Sequence, residues 1–170
     1  MARILMKGNE AMAEAAIQAG CRAFFGYPIT PQSEIPEYFA RELPPRGGLF
    51  LQAESEMAAM NMVMGASAAG GRVMTSTSGP GYCLKLEALA AMALTRLPAV
   101  VVVVMRSGPA FGTMKAAQED YRMTGNGGYK VVTFAPSDVQ EAAAMVYEAF
   151  DIADQYRNPV VIMADGMIGQ

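Results

Sequence analysis

The seven apolar residues AVVVVVM, from Ala99 to Met105, constrain this chain more than any other segment. Valine crowds a helical backbone and suits a pleated strand. With no polar alternation the run has no side to offer to water, so it reads as a central strand covered on both faces. It is far too short to cross a bilayer.

Five other short runs rich in β-branched or aromatic residues accompany it: AFFGY, GLFLQ, RVMTST, KVVTF and PVVIM. They alternate with helical stretches, which predicts an α/β fold: a three-layer αβα architecture with a mostly parallel central sheet. NEAMAEAAIQAG has Asn9 as a candidate N-cap and stops at Gly20, while SDVQEAAAMVYEAFDIADQY opens on Ser137 as a candidate cap. ESEMAAMNMVMGASAAGG is apolar all round except for Ser55, Asn61 and Ser67, which predicts a helix packed on nearly every side. No repeat, linker or low-complexity tract divides the 170 residues, so a single domain over 1–170 is expected.

Composition removes several classes of function. A net charge of −3 with 17% charged residues does not fit a nucleic-acid binder. Histidine is absent, so no Ser-His-Asp or Cys-His triad can be built from this chain, and the commonest metal ligand is missing too. Cys21 and Cys83 stand far apart with no CxxC, which supports neither a disulfide framework nor a zinc or iron–sulfur ligand set. MARILMKGNE lacks a signal peptide's hydrophobic stretch, and a cytoplasmic, reducing setting is expected, with no membrane partner.

Glycine-rich stretches were compared with phosphate-binding patterns. GPAFGTMK fails the spacing G-x-x-x-x-G-K-[ST], and GASAAGGRV ends a helix where a dinucleotide fingerprint opens one. TSTSGPGY differs, because it follows a strand and would present backbone N–H groups at the start of the next helix, where an anion or polar ring can dock. A tight turn needing glycine for steric reasons explains it equally well. In GYPITPQSE two prolines flank Thr30 and stiffen a strand end. The simplest local reading makes Thr30 an N-cap with Pro31 in the first helical turn.

Glu54 and Glu56 open the apolar helix, where the helix dipole favours acidic groups. The dipole does not explain a carboxylate followed by Met, Ala and Val, a setting that raises a carboxyl pKa unless a partner compensates. Arg106 ends the valine strand, at the edge where parallel sheets bind ligands, although an ordinary salt bridge would also place it there. SGPAFGTMKAAQEDYRMTGNGGYK is the longest weakly periodic region, with glycines at 108, 112, 125, 127 and 128 marking it as turn-rich.

In order along the chain, YPITP, QAESE, TSTSGPG and VVVVVMRSGP resemble the pyrimidine-binding domain of the alpha-type subunit of 2-oxoacid:ferredoxin oxidoreductases, which are thiamine diphosphate enzymes. The likeness covers the whole chain and is closest to the 2-oxoisovalerate (branched-chain) type. It implies the pyrimidine-type thiamine diphosphate-binding fold, and it implies that Glu56, with Glu54 in reserve, grips N1′ of the aminopyrimidine. The ring's own amino group is then the base that takes the C2 proton. Thr30 matches the threonine that hydrogen-bonds the 2-oxoacid, and Arg106 the arginine that faces its carboxylate. Pro28, Ile29, Ser78 and Gly79 match ring-contacting positions.

The implied activity is coenzyme A-dependent oxidative decarboxylation of a 2-oxoacid to acyl-CoA, carbon dioxide and reduced ferredoxin. The family's G-D-G…N site for diphosphate and Mg²⁺ is missing, and ADGMIGQ is no substitute. Mg²⁺ and iron–sulfur clusters are therefore expected on partner chains. Those chains are a pyrophosphate-domain (beta-type) subunit with gamma-type and ferredoxin-like subunits, in a dimer of heteromers. The chain is expected to be a fragment or split-gene product lacking the family's following C-terminal domain. Two other readings stay open: the pyrimidine chain of a non-oxidative thiamine diphosphate decarboxylase or synthase, and a non-catalytic assembly module.

Overall fold

A computed structural model describes residues 4–107, 113–126 and 128–170. The valine run forms β4 (Val100–Met105), hydrogen-bonded to β3 (Val73–Thr77) on one side and β6 (Val160–Asp165) on the other. With β1 (Ala23–Gly26), β2 (Leu49–Gln52) and β5 (Val132–Phe134) they make a six-stranded sheet in the order β2-β1-β3-β4-β6-β5, every pair parallel. All six expected strands are present.

Alternation along β4 explains why it tolerates no polar residue. Val100, Val102 and Val104 enter a core shared with α1 (Gly8–Gln18), α2 (Glu34–Glu42) and α5 (Val139–Tyr156). Val101, Val103 and Met105 enter a second core, on the opposite face, with α3 (Glu56–Ala68) and α4 (Gly79–Thr95). Each valine so buried contributes about 1.5–3 kcal/mol. The edge strands are short and less buried, as sheet edges need to be. A final turn, α6 (Gly166–Gly169), closes the described chain, and among the described residues no helix is long and apolar enough to cross a membrane.

Three local expectations are corrected. Asn9 lies inside α1, whose N-cap position is Lys7, because the buried Asn9 amide is drawn to the Pro31 carbonyl instead. Asp138, rather than Ser137, caps α5: its carboxylate accepts from Glu141 N, while Ser137 N and Oγ donate back to Glu141 Oε2 at 2.6 and 2.7 Å. Helix α3 is buried on one side only, since the sheet and α4 cover just that side; Met57 is 51% exposed and Asn61 and Gly65 also face outward. Gly20 does end α1, at φ 91°. Of the loop glycines, Gly125 and Gly128 adopt positive φ, while Gly108, Gly112 and Gly127 lie outside the described residues.

The winding creates a crevice. From β1 the chain moves to β2 through α2 on one face, and from β3 it moves to β4 through α4 on the other. Right-handed crossovers in opposite directions require opposite faces. The carboxyl ends of β1 and β3 therefore diverge at a topological switch point, where open parallel sheets bind ligands.

Candidate active site

Four segments meet at that crevice: the turn after β1, the first turn of α3, the first turn of α4, and the residue that follows β4. In the turn after β1, Thr30–Pro31 is a cis peptide bond. Proline offers an acceptor but no donor, so the turn is held by side-chain amides from outside. Gln32, fully buried, donates from Nε2 to the Tyr27 carbonyl at 3.2 Å and accepts from Ser76 Oγ, which ties the turn to β3. Asn9 Nδ2 donates to the Pro31 carbonyl at 2.8 Å, and Gln170 Nε2 reaches the same carbonyl at 3.2 Å.

Gln32→Ala is expected to leave the Ser76 hydroxyl unpartnered in a buried place and to cost about 1–3 kcal/mol, read as a lower denaturation midpoint with an unchanged m-value. A midpoint equal to that of the parent would show that the amide clamps nothing.

Thr30 is not an N-cap: α2 begins at Glu34, and Ser33 holds the cap position without a side-chain bond. Thr30 is exposed on the turn, Pro28 is exposed and Ile29 half-buried beside it. The link from this turn to the rest of the site is the Thr30 carbonyl, which accepts from Arg106 Nη1 at 3.0 Å. Arg106 is buried, and its Nε has no hydrogen-bond partner among the described residues. Its guanidinium lies against Gly79, where φ is +46° and a Cβ would stand 2.4 Å from Nε, so a side chain there is excluded twice over.

The start of α4 is less open than its sequence implies. Gly79 N–H donates to Asp120 Oδ2 at 3.0 Å, and Arg106 N–H donates to the same oxygen at 3.0 Å. Asp120 belongs to a 3₁₀ helix, Glu119–Met123, that folds the long loop back over the strand ends. An internal carboxylate thus takes the Gly79 N–H, one of the groups that an anion or polar ring could have met there. Burial pushes the Asp120 carboxyl up, against the pull of its two N–H donors.

Glu56 is the first residue of α3, which Ser55 caps by accepting from Ala58 N at 3.1 Å. Glu56 is 6% exposed while its rival Glu54 is exposed, so only Glu56 faces the interior. It lies against Gly81: a Cβ there would be 2.7 Å from Glu56 Oε1 and 2.4 Å from Thr77 Oγ1. Thr77 Oγ1 and Ser78 Oγ are buried with no partner among the described residues.

Two bare glycine surfaces thus flank the first turn of α4, with Arg106 against one and Glu56 against the other. Unpartnered hydroxyls beside a buried carboxyl, with no Cβ in the way, fit a flat polar ring better than they fit a closed protein core. The structure brings together Glu56, Ser78, Gly79, Arg106 and the Thr30 carbonyl, and sets Pro28 and Ile29 at the rim.

Sequence reasoning missed Gln32, Asp120 and Lys85. Lys85 is fully buried on α4, and its Nζ donates to Thr75 Oγ1 at 3.1 Å and to the Glu56 carbonyl at 3.4 Å. Its signal was present, since Tyr82, Ala88, Leu89 and Met92 stand at helical spacing around it and are all buried. A separate cavity of about 380 Å³ opens beyond Met105, lined by Tyr121, Thr124, Phe134 and Met163 among others and by none of the candidate residues.

Known proteins share this sequence and fold. The family described as pyruvate flavodoxin/ferredoxin oxidoreductase, thiamine diphosphate-binding, matches residues 14–170. The chain is 51% identical over 174 residues to the ketoisovalerate oxidoreductase subunit VorB of Methanothermobacter thermautotrophicus, a match spanning all of this chain and 49% of that protein. It is 47% identical over 169 residues to the 2-oxoglutarate synthase subunit KorA of Methanocaldococcus jannaschii, covering 96% of this chain and 46% of that one. Among solved structures, a 2-oxoglutarate:ferredoxin oxidoreductase from Magnetococcus marinus, with 2-oxoglutarate, coenzyme A and succinyl-CoA bound, superposes with a TM-score of 0.92 at 35% identity, over 98% of this chain and 30% of that chain. The chain spans about half the length of the curated relatives it matches.

Proposed function

This chain belongs to the thiamine diphosphate-binding family of pyruvate flavodoxin/ferredoxin oxidoreductases, and we propose that it supplies the pyrimidine half of an active site completed by partner chains. Thiamine diphosphate, when bound, supplies a nucleophilic carbon that decarboxylates a 2-oxoacid. Glu56 holds a proton at the ring nitrogen N1′, and the hydroxyls of Thr77 and Ser78 are free to meet the same ring. Ser78 and Gly79 form its floor, with Pro28 and Ile29 at its edge. The Thr30 hydroxyl orients the substrate near the reacting carbonyl, and the Arg106 guanidinium, fixed by the Thr30 carbonyl and by Gly79, meets the substrate carboxylate.

The observation that carries this reading is the burial of Glu56 against Gly81 at the switch point. The reaction is oxidative decarboxylation with coenzyme A as acyl acceptor and ferredoxin as electron acceptor. A branched-chain 2-oxoacid is the favoured substrate, in keeping with the similarity to a ketoisovalerate oxidoreductase subunit. Residues 1–170 serve as a pyrimidine-binding domain in a cytoplasmic dimer of heteromers. The diphosphate, Mg²⁺ and the iron–sulfur clusters fall to beta-type, gamma-type and ferredoxin-like chains.

The test is co-purification of the chain with its partners from its source, followed by a panel of 2-oxoacids with a viologen dye and coenzyme A. Dye reduction that is strongest with 2-oxoisovalerate is the expected result. Release of free aldehyde without dye reduction would make the protein a non-oxidative decarboxylase instead, and no turnover of any 2-oxoacid would leave an assembly role.

A further inference from the structure

Among the described residues Lys85 is the only buried lysine, and nothing in its packing calls for a charge. The stripe formed by Tyr82, Ala88, Leu89 and Met92 would accept methionine or leucine at this position. An ammonium there is costly unless something answers it. Its two hydrogen bonds, to Thr75 Oγ1 and the Glu56 carbonyl, answer only part of its three donors. Burial pulls the Lys85 pKa down to about 8, and the charge of Glu56 pulls it the other way.

The placement gives the charge a use. Thr75 and Thr77 are alternate residues of β3 and share a face; Thr75 meets Lys85, and Thr77 meets the Gly81 surface where Glu56 lies. Gly81 and Lys85 are one turn apart on α4. The ammonium, bonded to the Glu56 backbone carbonyl, therefore stands one turn behind the Gly81 surface that the Glu56 carboxyl meets, on the side away from the crevice. The other charged or titratable groups around this turn are Tyr82 and Cys83 on α4, Arg106 after β4 and Asp120 on the 3₁₀ helix. The Arg106 guanidinium lies against Gly79 and donates to the Thr30 carbonyl, at the crevice, which leaves Lys85 as the cation behind Glu56.

We propose that Lys85 is a positioning residue for Glu56: bonded to Thr75 and to the Glu56 carbonyl, its ammonium fixes the first turn of α3 and with it the carboxyl that would meet the nitrogen of a ring bound in front. The inference rests on the thiamine reading of the site. It assigns Lys85 no contact with cofactor or substrate, and its effect passes wholly through Glu56.

The experiment uses the complex with its partner chains and thiamine diphosphate. It measures C2 hydrogen–deuterium exchange of the bound cofactor by acid quench and NMR, cofactor Kd by titration, and Tm. Lys85→Met is expected to slow exchange by about tenfold or more, the scale on which small misplacements of a reacting group act. Its Kd should rise, while Tm stays level or increases because a buried charge has gone. Lys85→Arg, which keeps the charge, should retain exchange within roughly threefold of the parent on the same scale.

Exchange at the parental rate in Lys85→Met overturns the proposal, and so does a lowered Tm with exchange untouched, which marks a packing role. Should the methionine variant fail to assemble, Lys85→Gln is read by the same criteria. Glu56→Gln separates the two levels of inference. If it abolishes exchange while Lys85→Met does not, only the role of Lys85 falls. If it leaves exchange intact, the site reading falls and the lysine inference with it.

Discussion

Replacing Glu56 with glutamine is expected to lower C2 exchange and 2-oxoacid turnover by at least about 10²-fold, the scale of a positioned proton donor. The amide keeps the size and shape of the carboxyl, so the wall against Gly81 and Thr77 survives. What disappears is the ability to hold a proton at N1′. Ser55 still caps α3, so the helix start should not fray. Glu54→Gln is the matched comparison, because Glu54 is exposed two residues earlier. A loss confined to the Glu54 variant would reverse the assignment, and a Glu56 variant with parental exchange would end it. Circular dichroism melts of both chains separate a chemical loss from an unfolded one.

Gly81→Ala is expected to disable the site from the opposite wall while leaving the helix sound. Alanine in place of glycine gains up to about 1 kcal/mol of helix propensity, so local folding does not suffer. The added methyl would stand 2.4 Å from Thr77 Oγ1 and 2.7 Å from Glu56 Oε1, closer than real Cβ atoms come. Thr77 is β-branched and set in a fully buried strand, so it has little freedom to turn. The Glu56 side chain must give way, taking its carboxyl out of register with the ring. Cofactor Kd and C2 exchange should both deteriorate, exchange by roughly tenfold or more, since small misplacements of reacting groups cost that much. An unchanged Kd together with unchanged exchange would mean that the carboxyl does not work from this position.

The strands were the most legible part of the chain. Each is a short run of β-branched or aromatic residues bounded by turn formers, and the valine run admits only a two-sided environment. Glu56 stood out because a carboxylate before a methionine- and alanine-rich helix is anomalous; the resemblance ranked it above Glu54, and burial sets it apart from that exposed neighbour. Caps were legible to within three residues and no better. Asn9 and Ser137 have the right chemistry beside the right helices, but tertiary partners took Asn9 away and Asp138 outcompeted Ser137.

Other residues left no local mark. Asp120 sits in a weakly periodic loop, and nothing in EDYRM announces that one carboxylate oxygen will collect the N–H groups of Gly79 and Arg106. Gln32 works across 44 residues of sequence to Ser76. Lys85 was overlooked for a different reason: a lysine among leucines reads as a solvated helix position unless its phase in the apolar stripe is counted.

Among the described residues, the two cores lie on opposite sides of β4 with the sheet between them. A shortened side chain at Met12, Val146 or Phe150 loosens the rear layer, yet it reaches the carboxyl wall only as a small displacement of whole strands. The front layer holds Glu56, Thr77, Gly81 and Lys85: Glu56 and Thr77 both border the bare face of Gly81, and Lys85 donates to the Glu56 backbone carbonyl. Descendants of this chain are therefore free to drift quickly behind the sheet and slowly in front of it, so that a comparison of rates between the two faces would map the chemistry without any assay.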